Sequence, residues 1–160
     1  TIIGTSDVHN LIDWDYSFYK GKHRPVTLVL SKDKTEKSIK DALFKGRTVV
    51  WFKNKLIGLK DNLVPLLKSS LSFKSLGYEA GTFILKVEIE NKSDSKMMLK
   101  NISKYTFSQN TDSFHVDAHS KKIIEIKTIV KLKQMNLTFK IQNAYIEPSK
   151  NPEVSFLVKI

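Results

Sequence analysis

The chain has 160 residues, no cysteine and a formal net charge of +11. Without thiols it has no disulfide, thiolate metal site or cysteine nucleophile, so any metal must be held by His, Asp, Glu or backbone oxygen. The charge does not indicate a nucleic-acid partner: only Arg24 and Arg47 are arginine, and the excess is spread, 13 basic against 7 acidic residues in 1–70 and 14 against 9 in 71–160.

No run approaches the ~20 apolar residues that span a bilayer, so no membrane span is expected. The length suffices for one domain or two small ones.

The first ten residues, TIIGTSDVHN, place an apolar pair, Ile2-Ile3, before Gly4-Thr5-Ser6-Asp7. That pattern predicts a short buried strand and its exit loop. A polar and aromatic loop follows, with Trp14, Tyr16, Phe18 and Tyr19. Trp14 and Tyr16 are expected to pack the loop onto the fold more than to touch a ligand. Pro25 then bounds a strand-like run over 26–30.

Asp33 and Glu36 stand in capping-box spacing, with Asp33 read as the cap of the helix that follows. Ile39, Ala42 and Leu43 form its apolar face, and Gly46 ends it. Val49-Val50-Trp51-Phe52 predicts a buried strand, with Leu56-Ile57 returning as a hairpin partner. Leu63, Leu66 and Leu67 predict a last short helix, with Pro65 in its first turn.

Near residue 70 the period changes to two. In TFILKVEIEN, Phe83, Leu85, Val87 and Ile89 face one way and Lys86, Glu88 and Glu90 the other. Further strands are expected over 96–99, 105–107, 114–116, 121–130, 137–141 and 154–160, the last closing a sheet edge. Short strands between turn-forming segments predict an immunoglobulin-like β-sandwich.

Two D-x-H spacings occur, Asp7/His9 and Asp117/His119. In extended backbone the two side chains share one side, roughly 7 Å apart at Cα. A carboxylate beside an imidazole suits hydrolytic metal sites. Asp7 follows an apolar strand and precedes a long aromatic loop, the setting of sites at barrel strand ends. His115, Asp117 and His119 lie between sandwich strands and are expected to be a solvated strand end.

The ordered series IGTSDVHNLIDWDY…GKHRPVTLVLSKDKTEKSIKDALFKGRTVVWFKNKLIG resembles the C-terminal end of PHP (polymerase and histidinol phosphatase) domains, bacterial metal-dependent phosphoesterases, some carrying an appended β domain. The resemblance implies an α/β C-terminal part of a distorted (β/α) barrel over 1–68, then an all-β immunoglobulin-like sandwich over 69–160. It implies that Asp7 and His9 are metal ligands for divalent Zn, Mn, Fe or Mg. Their ligand set is incomplete here, because no H-x-H occurs before residue 70.

Under the resemblance, the expected partners are an upstream part of the same protein and a phosphorylated small-molecule substrate. His23 and Arg24, in GKHRP, are the candidate phosphate ligands, with a surface loop anchored by Pro25 as the alternative. The chain by itself is expected to be inactive, and a periplasmic or secreted setting is preferred to a cytoplasmic one. The alternative function is a non-catalytic β-sandwich module that binds a partner or a glycan.

Overall fold

A computed structural model describes residues 1–17 and 22–160. The chain divides into two compact units: Thr1–Leu63 with Ala144–Lys150, and Val64–Asn143 with Asn151–Ile160. Phe18 and Tyr19 lie outside the described residues.

In the first unit the short helix α1 (Ile12–Asp15) precedes β1 (Val26–Val29), α2 (Glu36–Phe44), β2 (Thr48–Phe52) and β3 (Lys55–Gly58). These strands form a sheet in the order β1-β2-β3-β11, where β11 (Ala144–Tyr145) pairs parallel to β3 and the other pairs are antiparallel. The sheet is therefore mixed, and among the described residues it does not close into a barrel. Lys53 and Asn54, both at positive φ, make the two-residue turn between β2 and β3, the geometry that matches strand twist.

Thr35, not Asp33, is the N-cap of α2. Its hydroxyl accepts the Ser38 N–H at 3.3 Å, while the Asp33 carboxylate accepts the N–H and hydroxyl of Thr35. The acid stiffens the approach to the cap instead of making it, which lowers the Asp33 pKa. At the other end, the Gly46 N–H donates to Leu43 and the Arg47 N–H to Ala42, with Gly46 at φ +66°. This is a Schellman closure, and it requires the left-handed residue that glycine supplies. The Asp41 carboxylate then binds Lys45 and Arg47, securing the helix end.

Helix α3 (Lys60–Ser70) is longer than the sequence suggests, and Pro65 is its sixth residue, outside the first turn. Pro65 and Asp61 are both exposed, so water can take the Asp61 carbonyl left without its i+4 donor.

The second unit is a sandwich of two four-stranded sheets. One runs β12-β10-β6-β8, from Glu153–Lys159, Gln134–Ile141, Met97–Asn101 and Ser113–Val116. The other runs β4-β5-β9-β7, from Leu71–Tyr78, Ile84–Asn91, Lys121–Lys127 and Thr106–Phe107. β12 is at a sheet edge, as the sequence predicts. Leu85, Val87 and Ile89 of β5 are fully buried, but Phe83 precedes the strand and is half exposed, so it is no member of the core. β9 stops at Lys127, leaving Ile129 and Val130 in a loop.

The core is built around Phe139, fully buried, with Phe73 stacked at 5.5 Å and Phe114 edge-on at 5.9 Å. Phe73 comes from the opposite sheet, so these rings fill the space between the layers. Phe139→Ala is expected to destabilise the sandwich by about 3–5 kcal/mol, read as a lower urea midpoint of its unfolding transition.

Lys45, then Arg47, holds the Asp41 pKa below its ordinary value of 3.8. A depressed folded pKa means stability that is fully present above that value and is lost as the pH falls through the lower, folded one. Thermal melts of wild type and Asp41→Asn should therefore differ most above pH ~4 and converge in stronger acid. A gap that widened in acid would contradict this.

Candidate functional site

Residues 1–9 form no strand ladder, contrary to the expectation of a buried strand. The segment is nonetheless seated. Thr1 donates its hydroxyl to the Leu43 carbonyl at 2.6 Å, and Thr48 donates to the Ile2 carbonyl at 2.7 Å. The Gly4 N–H donates to the Thr27 hydroxyl at 3.0 Å. Side-chain hydroxyls of the sheet thus replace the missing strand-to-strand bonds.

Burial alternates along the segment, with Ile2, Gly4, Ser6 and Val8 partly covered and Ile3, Asp7 and His9 exposed. The segment keeps the alternating sides of extended backbone without a ladder.

Asp7 and His9 therefore project together, with Oδ1 3.6 Å from Nε2 and the side chains 91% and 85% exposed. Asp7 sits at φ +51°, a left-handed conformation that Asp tolerates better than most residues. Among the described residues no group of three His, Asp or Glu side chains is placed to hold a metal. Asp7 and His9 supply a carboxylate and an imidazole on one exposed side of the segment, and among the described residues no third such side chain joins them.

His23 and Arg24 form the second element. The His23 Nδ1–H donates to the Arg24 carbonyl at 2.7 Å, and the imidazole lies on the Trp51 ring at 4.0 Å between centroids. This fixes the tautomer, leaving Nε2 as an acceptor when the ring is neutral. Arg24 is exposed and, among the described residues, makes no ion pair. Tyr16 packs edge-on against Phe52 at 6.1 Å, as expected, whereas Trp14 is 74% exposed and does not. No hydrogen bond or ion pair joins Asp7/His9 to His23/Arg24 among the described residues.

The other D-x-H is a surface ion-pair system. Asp117 binds Lys96 at 2.8 Å and faces His115 at 3.9 Å, while His119, at φ +51°, turns to Asp94 at 2.7 Å. The hydrogen bond from Lys96, with a smaller contribution from the His115 charge, holds the Asp117 pKa below the usual carboxylate range. The backbone reversal at His119 separates side chains that an extended strand would align.

One concave feature gave no sequence signal. A groove of about 460 Å³ on the sandwich is lined by Tyr105, Gln134, Asn136, Thr138 and Leu157, among others. The buried Asn101 shapes its wall, donating to the Tyr105 carbonyl and accepting the N–H and hydroxyl of Ser103.

A family described as an Ig-like domain matches residues 71–157. Among solved structures, the chain is similar to a two-domain protein containing a predicted PHP-like metal-dependent phosphoesterase from Bacteroides vulgatus ATCC 8482. The identity is 26% and the TM-score 0.84, over 100% of this chain and 46% of that one. The chain thus spans less than half the length of that protein. No curated protein matches.

Gly4 is the steric key to the seat, because a Cβ there would lie 2.5 Å from a Val50 methyl. Gly4→Ala is expected to loosen residues 1–9 at a cost of about 1–3 kcal/mol. Faster amide exchange at position 4 and its neighbours, with the sandwich amides unchanged, would report it.

Proposed function

The chain belongs to the Ig-like domain family through residues 71–157, and from that premise we propose that it is the C-terminal portion of a PHP-type metal-dependent phosphoesterase. In this reading residues 1–68 finish the (β/α) barrel, residues 69–160 are the appended sandwich, and the remaining ligands come from an upstream part of the same protein. A periplasmic or secreted setting accompanies it. The observation that carries the reading is coverage: the resemblance to the two-domain protein extends over the whole chain, including the segment that bears Asp7 and His9.

Asp7 and His9 would hold divalent metal through carboxylate and imidazole donors. When bound, such an ion lowers the pKa of coordinated water towards neutrality and polarises phosphoryl oxygens. This chain's own contribution is to keep the two donors on one exposed side of a seated segment. The Arg24 guanidinium is free to fork onto two phosphate oxygens. His23, its ring held against Trp51, offers Nε2 as donor or acceptor according to its protonation.

A second reading, the sandwich as a non-catalytic binding module, is favoured by the groove beside Tyr105. The two readings separate in the longer protein that, in the first reading, carries this chain. Asp7→Ala and His9→Ala are each expected to lower metal-dependent hydrolysis of a generic phosphate monoester by about two orders of magnitude or more, with circular dichroism unchanged. Activity that survives both substitutions would reject the site and leave the module reading. The 160-residue chain alone is expected to be inactive, because two protein ligands hold a divalent ion poorly against water.

A further inference from the structure

Between β9 and β10 the sequence KTIVKLK (127–133) carries its two aliphatic β-branched side chains outward: Ile129 is 93% exposed and Val130 56%. Phe83, 53% exposed, is tied to the same loop through its backbone, because the Thr128 N–H and hydroxyl both donate to the Phe83 carbonyl, at 3.0 and 2.9 Å.

The loop is not held by burying these side chains. The Tyr78 hydroxyl accepts the Leu132 N–H at 2.9 Å and lies 3.5 Å from the Val130 carbonyl. The Lys133 carbonyl accepts the Ile160 N–H. Three apolar side chains are thus presented to solvent from a backbone that is already tied down. Such presentation costs solvation, and exposed apolar side chains on a fixed backbone are what a docking surface requires.

The charge around them has one sign. Lys127, Lys131 and Lys133 are exposed and, among the described residues, form no ion pair; residues 127–133 contain no acid. In the facing turn, Glu79 is occupied by Lys86 at 3.5 Å.

We propose that this end of the sandwich docks on an anionic lipid bilayer, with Ile129, Val130 and Phe83 entering the headgroup–acyl boundary and the three lysines meeting lipid phosphates. A bilayer surface asks for apolar insertion inside a ring of cations and for no directional hydrogen bonding. The loop offers that pattern, since several of its backbone groups are already bonded internally. A fixed loop also surrenders little conformational entropy on docking. The proposal does not rest on the phosphoesterase reading.

Co-sedimentation of the whole chain with phosphatidylcholine vesicles, with and without about one-third phosphatidylglycerol, tests it. Binding is expected to the anionic vesicles, about tenfold or more tighter than to the neutral ones, and to weaken with salt. Ile129→Ser/Val130→Ser, which leaves the charge unchanged, should weaken it by about tenfold. Lys131→Gln/Lys133→Gln should weaken it comparably, while Lys74→Gln/Lys100→Gln should change it by less than about twofold.

No binding to anionic vesicles would overturn the proposal, as would equal binding to neutral ones. Undiminished binding of the serine variant would also overturn it, since that is generic attraction of a chain with net charge +11. Should the double serine variant fail to fold, Ile129→Ser alone serves, because that side chain is almost wholly in water.

Discussion

Buried asparagines supply the hydrogen bonds on which both units depend. Backbone groups left at strand ends and turns cannot be buried unpaired without losing ~1–3 kcal/mol each. In the first unit the Asn62 amide donates to the Gly46 carbonyl just past the end of α2. In the second, Asn91 donates to the carbonyls of Ser95, Val116 and Asp117 and accepts the Ser93 N–H and hydroxyl. Asn101 repeats that device with Ser103 and Tyr105, and Asn143 accepts the Met98 N–H and donates to Lys96. An amide carries both donors and acceptor, so one side chain closes a loop that water would otherwise enter.

The same economy governs the candidate site. Residues 1–9 have no ladder, and threonine hydroxyls and the bare Cα of Gly4 hold them on the sheet. Because one side of the segment is seated, the other projects Asp7 and His9 as a pair. His23 is fixed differently, by a ring face and a backbone carbonyl, which leaves one nitrogen for chemistry. Asp7 and His9 stand almost wholly in water.

Much of the architecture is legible in local pattern, and the misreadings have physical causes. The alternation in β5 predicts its buried face, but periodicity cannot say where a strand begins, so Phe83 falls outside it. β4 carries weak alternation because a bulge between Ser75 and Gly77 shifts its register, and the short β11 gives no signal at all. The cap of α2 moves from Asp33 to Thr35 because both residues have capping chemistry and only backbone geometry selects between them.

By itself the sequence determined the sandwich pattern after residue 70, the β2–β3 hairpin and the side of the segment on which Asp7 and His9 stand. These follow from periodicity, turn chemistry and residue type, all of them local. Only the tertiary structure decided that Ala144–Lys150 joins the first unit, that His119 turns away from Asp117, and that a fixed loop holds Ile129 and Val130 in water. Each of these depends on partners distant in the chain or on a single backbone reversal, which no run of neighbouring residues encodes.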